Sequence, residues 1–226
     1  MKKTIGLIIA SAIFYVSGYT QANNPYDAEG ISAVRNALYM QKEMKEKRFT
    51  TPDKALIEKY NNELKLGTLS TVTDITTKTF DVVSKPGFNL NAFIANSTLP
   101  SPVKNEFLAI TGAAVTYNVD AYKNFLTRKV DSILKVSTLN NNDKLMILKM
   151  CSLYYHLPEI QTKNSNNNNQ GPFYRNGDPN SSTILGCMGA GFAIGYTVGS
   201  AFGAGALGGA IGAGIGLIVG VCIEIS

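Results

Sequence analysis

Apolar positions along this chain follow two different rules. Between residues 25 and 158 they recur three and four apart. Ile31, Val34 and Leu38 form one series, and Leu56, Tyr60 and Leu64 a second. Val103, Phe107, Ile110 and Tyr117 form a third, followed by Tyr122, Phe125, Val130 and Ile133, then Leu145, Leu148 and Tyr155. That spacing puts one apolar stripe on each of a set of α-helices. Asn24-Pro25, Thr51-Pro52 and Ser101-Pro102 each set a capping side chain before a proline suited to the first helical turn. Gly67 is a candidate C-cap, and Thr68 then opens a segment through Leu69, Val72, Ile75, Thr79 and Val83. Its threonine and valine content leaves helix and strand both open there. The expectation is an all-α fold: a small helical bundle of about five to seven helices over residues 23–160, plus a C-terminal Gly-rich helical hairpin.

The second rule governs the hairpin segment, residues 183–226. No charge falls between Pro179 and Ile223, and 13 of the 21 glycines lie in this tail. Gly191, Gly195, Gly199 and Gly203 recur every four residues, and so do Gly208, Gly212, Gly216 and Gly220. On a helix each set is a ridge without side chains, the small-residue pattern by which membrane helices pack closely. Ala193, Thr197 and Ala201 make a second small face on the first leg, so that leg can meet two neighbours. One continuous helix of about 40 residues would be about 60 Å long, twice a bilayer core, whereas two legs of about 18 fit one bilayer each. The turn is therefore expected at Gly203–Gly208. It sets Gly191 opposite Gly220, Gly195 opposite Gly216, Gly199 opposite Gly212 and Gly203 opposite Gly208. It also brings Cys187 and Cys222 to one end as a candidate disulfide clasp, provided the last turn frays. A β-hairpin is a rival reading, because Phe192, Ile194, Tyr196 and Val198 alternate with small residues. So is a Gly-rich hairpin buried in a soluble protein. Gly203-Ala-Gly-Ala-Leu-Gly208 also fits a dinucleotide-binding spacing, but glycine density alone produces it and no strand precedes it.

Two further segments set the organisation. Lys2 and Lys3 precede an uncharged run from Ile5 to Val16, and Thr20-Gln21-Ala22 offers small residues to a signal peptidase. Residues 1–22 read as a signal peptide, which predicts export to the periplasm, the envelope membrane or the exterior. Residues 161–182 are rich in Asn, Gly, Pro and Ser and read as a flexible linker, with Phe173 and Tyr174 its only aromatics.

Charge and chemistry narrow the function classes. The net charge is +5, of which Lys2 and Lys3 belong to the signal. Lys42, Lys45, Lys47 and Arg48 alternate with Glu43 and Glu46 as a solvated helix face, so nucleic acid is not an expected partner. The single histidine, His156, ends an apolar segment and reads as a packing or helix-terminal residue. Neither a metal-ligand spacing nor a nucleophile motif is present. No catalytic residue, metal site or cofactor is assigned, and the chain is not expected to be an enzyme. Cys151 reads as a buried core thiol.

The tail from Gly186-Cys-Met-Gly-Ala-Gly to Gly220-Val-Cys222 resembles glycine-zipper bacteriocins and the contact-dependent glycine-zipper toxins of Gram-negative bacteria. The resemblance implies insertion of small-residue helices into a bilayer and homo-oligomers held through glycine ridges. The expected function is thus an exported membrane-active protein, with an antibacterial toxin as one form of it. Its helical domain would keep the tail soluble or bind a protein partner. The alternative is a non-toxic structural envelope protein anchored by the same transmembrane helices.

Overall fold

The computed structural model describes residue 21 and residues 23–47, 69–158, 183–201 and 203–225. Eight helices account for most of them: α1 Asp27–Lys47, α2 Leu69–Val83, α3 Leu90–Ala95, α4 Ser101–Thr116, α5 Val119–Lys135, α6 Asn141–His156, α7 Thr183–Ser200 and α8 Gly205–Ile225. The chain is all-α, as its periodicity predicts, and no strand occurs among the described residues. The segment around Val72 is helical despite its β-branched content. Burial of its Val72 and Ile75 stripe against the hairpin decides this, while the Thr76 and Thr79 hydroxyls are satisfied by donating to the Val72 and Ile75 carbonyls one turn back. The signal segment 1–20, Ala22, the segment with Leu56, Tyr60 and Leu64, Gly67 and the Asn-rich stretch 161–182 lie outside the described residues.

The helix starts use asparagine more than the prolines suggest. Asn89, Asn118 and Asn140 each stand at an N-cap, and each side-chain oxygen accepts the backbone N–H three residues on. Asn140 also donates to Asp143, 2.9 Å away, closing a reciprocal cap. Ser101 does not cap. Helix α4 begins at Ser101 itself, behind Pro100, with no side-chain cap bond. Asn24 is buried and serves a different purpose: its amide donates to the Leu148 carbonyl at 2.9 Å and ties the approach to α1 onto α6.

A polar seam continues that contact. Ser152 Oγ accepts the Gly30 N–H and donates to the Asp27 carbonyl. His156, fully buried in the last turn of α6, bonds Asp27 Oδ1 at 2.7 Å. Lys149 pairs with Glu29 at 2.9 Å. Gly30 is required here, because a methyl carbon at that position would lie 2.6 Å from the Ser152 carbonyl carbon. His156 is thus a structural residue that registers two antiparallel helices.

The hairpin formed by α7 and α8 is the middle layer. On one side lies the main core, where Ile184, Leu185, Met188, Phe192 and Leu217 pack with residues of α1 and α3–α6. On the other lies α2, whose Val72 and Ile75 cover Cys187, Ile215 and Val219. The segments read as helical domain and hairpin therefore share one core. Two stripe positions sit at its margin: Leu38 and Tyr117 are exposed, although the Tyr117 ring rests on Phe125.

Within the core, burial decides the protonation of three acids. It pushes the Cys151 thiol up to about 12, with Glu106 adding to the rise and Lys129 opposing it. It raises the Tyr122 and Tyr154 phenols well above their usual range. The Tyr154 hydroxyl has no hydrogen-bond partner among the described residues, a defect that costs about 1–3 kcal/mol. The unfolded chain ionises these groups first, near pH 9 for the thiol and near pH 10 for the phenols. Unfolding then releases protons, and stability falls as pH rises through that range. Replacing Tyr154 by Phe should therefore stabilise the protein by about 1 kcal/mol at neutral pH and flatten the alkaline loss. Urea titrations from pH 7 to pH 11 measure both effects, and a Tyr154→Phe chain less stable than the parent at every pH would contradict them.

Candidate functional site: the glycine-zipper hairpin

The ridge glycines expected to pack helices meet one another inside the chain. A methyl carbon built on Gly191 would lie 3.0 Å from Gly216 Cα and would strike the Gly212 carbonyl. On Gly195 it would lie 2.8 Å from Gly212 Cα and strike the Gly208 carbonyl. On Gly199 it would lie 2.9 Å from Gly208 Cα and 2.6 Å from the Ala204 carbonyl oxygen. Gly220 approaches Ile184, with 2.6 Å from its built methyl carbon to Ile184 Cα. Gly216 lies against the Cys187 carbonyl and Met188 Cα. These clashes are with backbone, which cannot swing aside. Only glycine allows α7 and α8 to come this close.

The register differs from the one the spacing suggests. Gly191 and Gly195 each sit between two glycines of α8 instead of facing one, Gly199 sits between Ala204 and Gly208, and Gly191 reaches Gly216 in place of Gly220. The cause is the turn. Gly203 takes φ +71°, its N–H donates to the Ser200 carbonyl at 3.1 Å, and the Ala204 N–H donates to the Gly199 carbonyl at 2.8 Å. That bond pair is a Schellman motif, which needs a left-handed residue just past the helix end. It closes the hairpin early, so α8 begins at Gly205. Gly203 leaves the ridge for the turn, where a methyl carbon would meet nothing within 4 Å. The dinucleotide-like run is this turn plus the first turn of α8, and the β-hairpin reading gives way to two helices.

Two expectations for the hairpin are corrected. Among the described residues no helix is long and apolar enough to cross a membrane, so the hairpin is not a pair of transmembrane helices. The left-handed turn at Gly203 ends α7 after 18 residues, the short end of what a bilayer core needs, and the apolar side chains of both legs are packed into the protein. Nor is a disulfide present among the described residues. Cys187 is buried against α2 beside Val72 and Ile75. Helix α8 continues to Ile225 without fraying, which leaves position 222 about 200° around the helix from the Gly220 ridge.

The second small face of α7 is also occupied. A methyl carbon on Gly189 would lie 2.5 Å from Leu90 Cδ1 and 2.9 Å from Phe107 Cζ, and one on Gly186 would lie 3.2 Å from the Phe88 ring. Further along, Thr98 and Thr197 share a hydroxyl–hydroxyl bond of 2.8 Å. The proton of Thr197 goes to the Ala193 carbonyl, so Thr98 is the donor. These notches at Gly186 and Gly189 escape a four-residue pattern search, because they belong to a different stripe with a different partner. The turn end of the hairpin emerges from the bundle. Ser200, Ala201 and Gly203 are exposed, and Leu207 is 55% exposed, the most exposed large apolar side chain among the described residues.

Chemistry of other kinds is sparse. No group of three or more metal-ligating side chains occurs among the described residues. Cys151 is buried with its thiol held protonated, the state least suited to a nucleophile.

The hairpin contact predicts opposite outcomes for one kind of substitution. Gly195→Ala forces a methyl group into the α8 backbone, and overpacking of about 1–3 kcal/mol outweighs the roughly 1 kcal/mol gained in helix propensity. Gly112→Ala, at an exposed position of α4 with nothing near the new methyl, keeps only the gain and should stabilise by up to about 1 kcal/mol. Chemical denaturation of the two variants measures the difference, and equal stabilisation by both would contradict the close contact.

No family model, curated protein or solved structure matches this chain, and the assignment of a role to the hairpin rests on its own geometry.

Proposed function

We propose that this is an exported membrane-active protein, in which a sheath of amphipathic helices carries a ready-zipped glycine hairpin and presents its tip to a lipid surface. The observation that carries this reading is that the hairpin is a self-contained apolar unit. It is free of charge from Pro179 to Ile223. Its turn carbonyls at Gly199 and Ser200 are satisfied by the Schellman bonds. Its two legs hold each other through backbone contact instead of through the sheath.

Energetics supports the same reading. Ile184, Leu185, Met188, Phe192 and Leu217 bind the hairpin to the main core. Exposing them to water would cost on the order of 10 kcal/mol at about 1.5–3 kcal/mol each. Lipid chains are as apolar as leucine, so moving those side chains from core to lipid costs little. A hairpin with these properties stays sheathed in water and gains a second environment at a membrane. Insertion to the depth of the headgroup and acyl boundary, about 5–10 Å, needs no helix that crosses the bilayer. The resemblance to glycine-zipper bacteriocins extends the proposal to an antibacterial toxin.

The test is dye release from vesicles of phosphatidylethanolamine and phosphatidylglycerol by the chain beginning at Asn23. Wild type should release the dye. Leu207→Asp places a carboxylate at the exposed tip, where the fold has room for it, and should reduce release about tenfold, equivalent to about 1.4 kcal/mol. Wild-type protein that leaves vesicles intact at every protein-to-lipid ratio would remove the membrane reading.

A further inference from the structure

Two local costs converge on the bond between Ala22 and Asn23, the bond a signal peptidase is expected to cut. Asn23 takes φ +66°, in the left-handed region, and is the one non-glycine residue to do so among those described. A β-carbon disfavours that conformation, and asparagine is among the few residues that tolerate it. Gln21 is buried, and its Nε2 has no hydrogen-bond partner among the described residues, which is a cost of its own. Both costs exist only while the chain is joined here. A cut removes Gln21 with its orphaned amide. It also removes the carbonyl before Asn23, one of the groups that make a positive φ costly.

We infer that cleavage at Ala22–Asn23 gives the mature chain an amino terminus that is itself a structural group, an ammonium ion paired with Asp131 of α5. The cut rests on the export reading above, and the pair rests on the geometry around Asn23. The step is hydrolysis at a signal peptidase. The Ala22–Asn23 amide bond breaks, the oxygen of one water becomes part of the Ala22 carboxylate, and both protons of that water end on the Asn23 nitrogen as the ammonium. Gln21 is buried and its carbonyl accepts the Asn24 N–H at 3.2 Å, so the cut precedes docking of this turn.

Asp131 is placed to receive the charge. Its Oδ1 accepts from Asn23 Nδ2 at 3.3 Å, and that nitrogen is at most about 5 Å from the backbone nitrogen of its own residue. Asp131 has no ion pair among the described residues, whereas Glu29 and Glu106 are paired with Lys149 and Lys129. Arg128 and Lys135 stand about one turn to either side of it on α5. Asn23 is exposed and Asp131 half-buried, so an ammonium enters without displacing a core group. It turns a long neutral contact into a charge-assisted one. The rest of the turn survives the cut. Asn24 Nδ2 keeps the Leu148 carbonyl at 2.9 Å, and Asn24 Oδ1 keeps the Tyr26 N–H at 3.0 Å. The new terminus then ties the start of α1 to α5, as the Asp27–His156 bond ties it to α6.

The reactivity of the amine tests the pair. An ordinary α-amine titrates at about 7.7–8.0, and only its neutral form reacts with acetic anhydride. A carboxylate that holds the charged form therefore slows the reaction. The tryptic peptide Asn23–Arg35 contains no lysine, so its acetylation reports the terminus alone. The mature chain is released from a fusion so that Asn23 is its first residue. At pH 7 and low salt it should be acetylated there about threefold more slowly than its Asp131→Asn variant, and the difference should vanish in about 1 M sodium chloride, where charges are screened within about 3 Å. Asparagine keeps the size of the side chain, so a role for Asp131 without its charge leaves the two rates equal. Equal rates at low salt overturn the pair. Amino-terminal sequencing of the protein recovered from bacteria expressing the full chain tests the cut separately. Asn23 as first residue supports it, and a chain that keeps its leader overturns the cut together with the export reading. If Asn23 comes first and the rates are equal, export stands and the pair falls.

Discussion

Close approach of two helix backbones organises this protein. Where Gly195 meets Gly208 and Gly212, and Gly191 meets Gly212 and Gly216, no side chain separates α7 from α8. Removing side chains from one face of each helix has two consequences. The legs meet backbone to backbone, and their buried apolar side chains are turned to the remaining faces. Ile184, Met188, Phe192 and Leu217 then look toward the main core, while Ile215 and Val219 look toward α2. The layered arrangement follows from that division. Among the described residues no helix is long and apolar enough to cross a membrane, which in the proposed reading moves membrane action to the tip and to the hairpin as a whole.

The surrounding helices can be read as a response to this central layer. Polar registration is concentrated at the contact between α1 and α6, where Asp27, Gly30, Ser152 and His156 form a hydrogen-bonded seam, with the Lys129–Glu106 pair joining α5 to α4. Around the hairpin itself the contacts are almost wholly apolar, with Thr98–Thr197 a polar exception at its edge. Apolar contacts can be exchanged for lipid at little cost, whereas buried polar partners cannot. The proposed release of the hairpin to a lipid surface draws its support from this division between a polar seam and an apolar layer.

Much of this was legible in the residues. Apolar spacing of three and four marks α1 and α4–α6, and the four-residue glycine spacing marks both ridges, because each pattern arises from the geometry of a single helix. The pairing of the ridges was not legible to the residue. It depends on one left-handed glycine, Gly203, and nothing in an even spacing shows which glycine will leave the ridge to make the turn. The clasp between Cys187 and Cys222 failed for a related reason: it required α8 to fray, and the helix runs on. Helix α3 is not legible, because six residues carry too little periodicity. Asparagine at positions 89, 118 and 140 carries the same capping signal as the Ser-Pro and Thr-Pro pairs. His156 reads as a packing or helix-terminal residue, and its bond to Asp27 gives the physical detail.

In the proposed membrane-active form the hairpin moves as one zipped body. Spin labels report it most directly. One pair, at Thr197 and Ala210, measures the separation of the two legs, and a second, at Thr197 and Ser132 of α5, measures the hairpin against the sheath. On binding to vesicles the first distance should stay unchanged while the second lengthens. Separation of the legs, or no change in either distance on vesicles that carry the protein, would contradict the account.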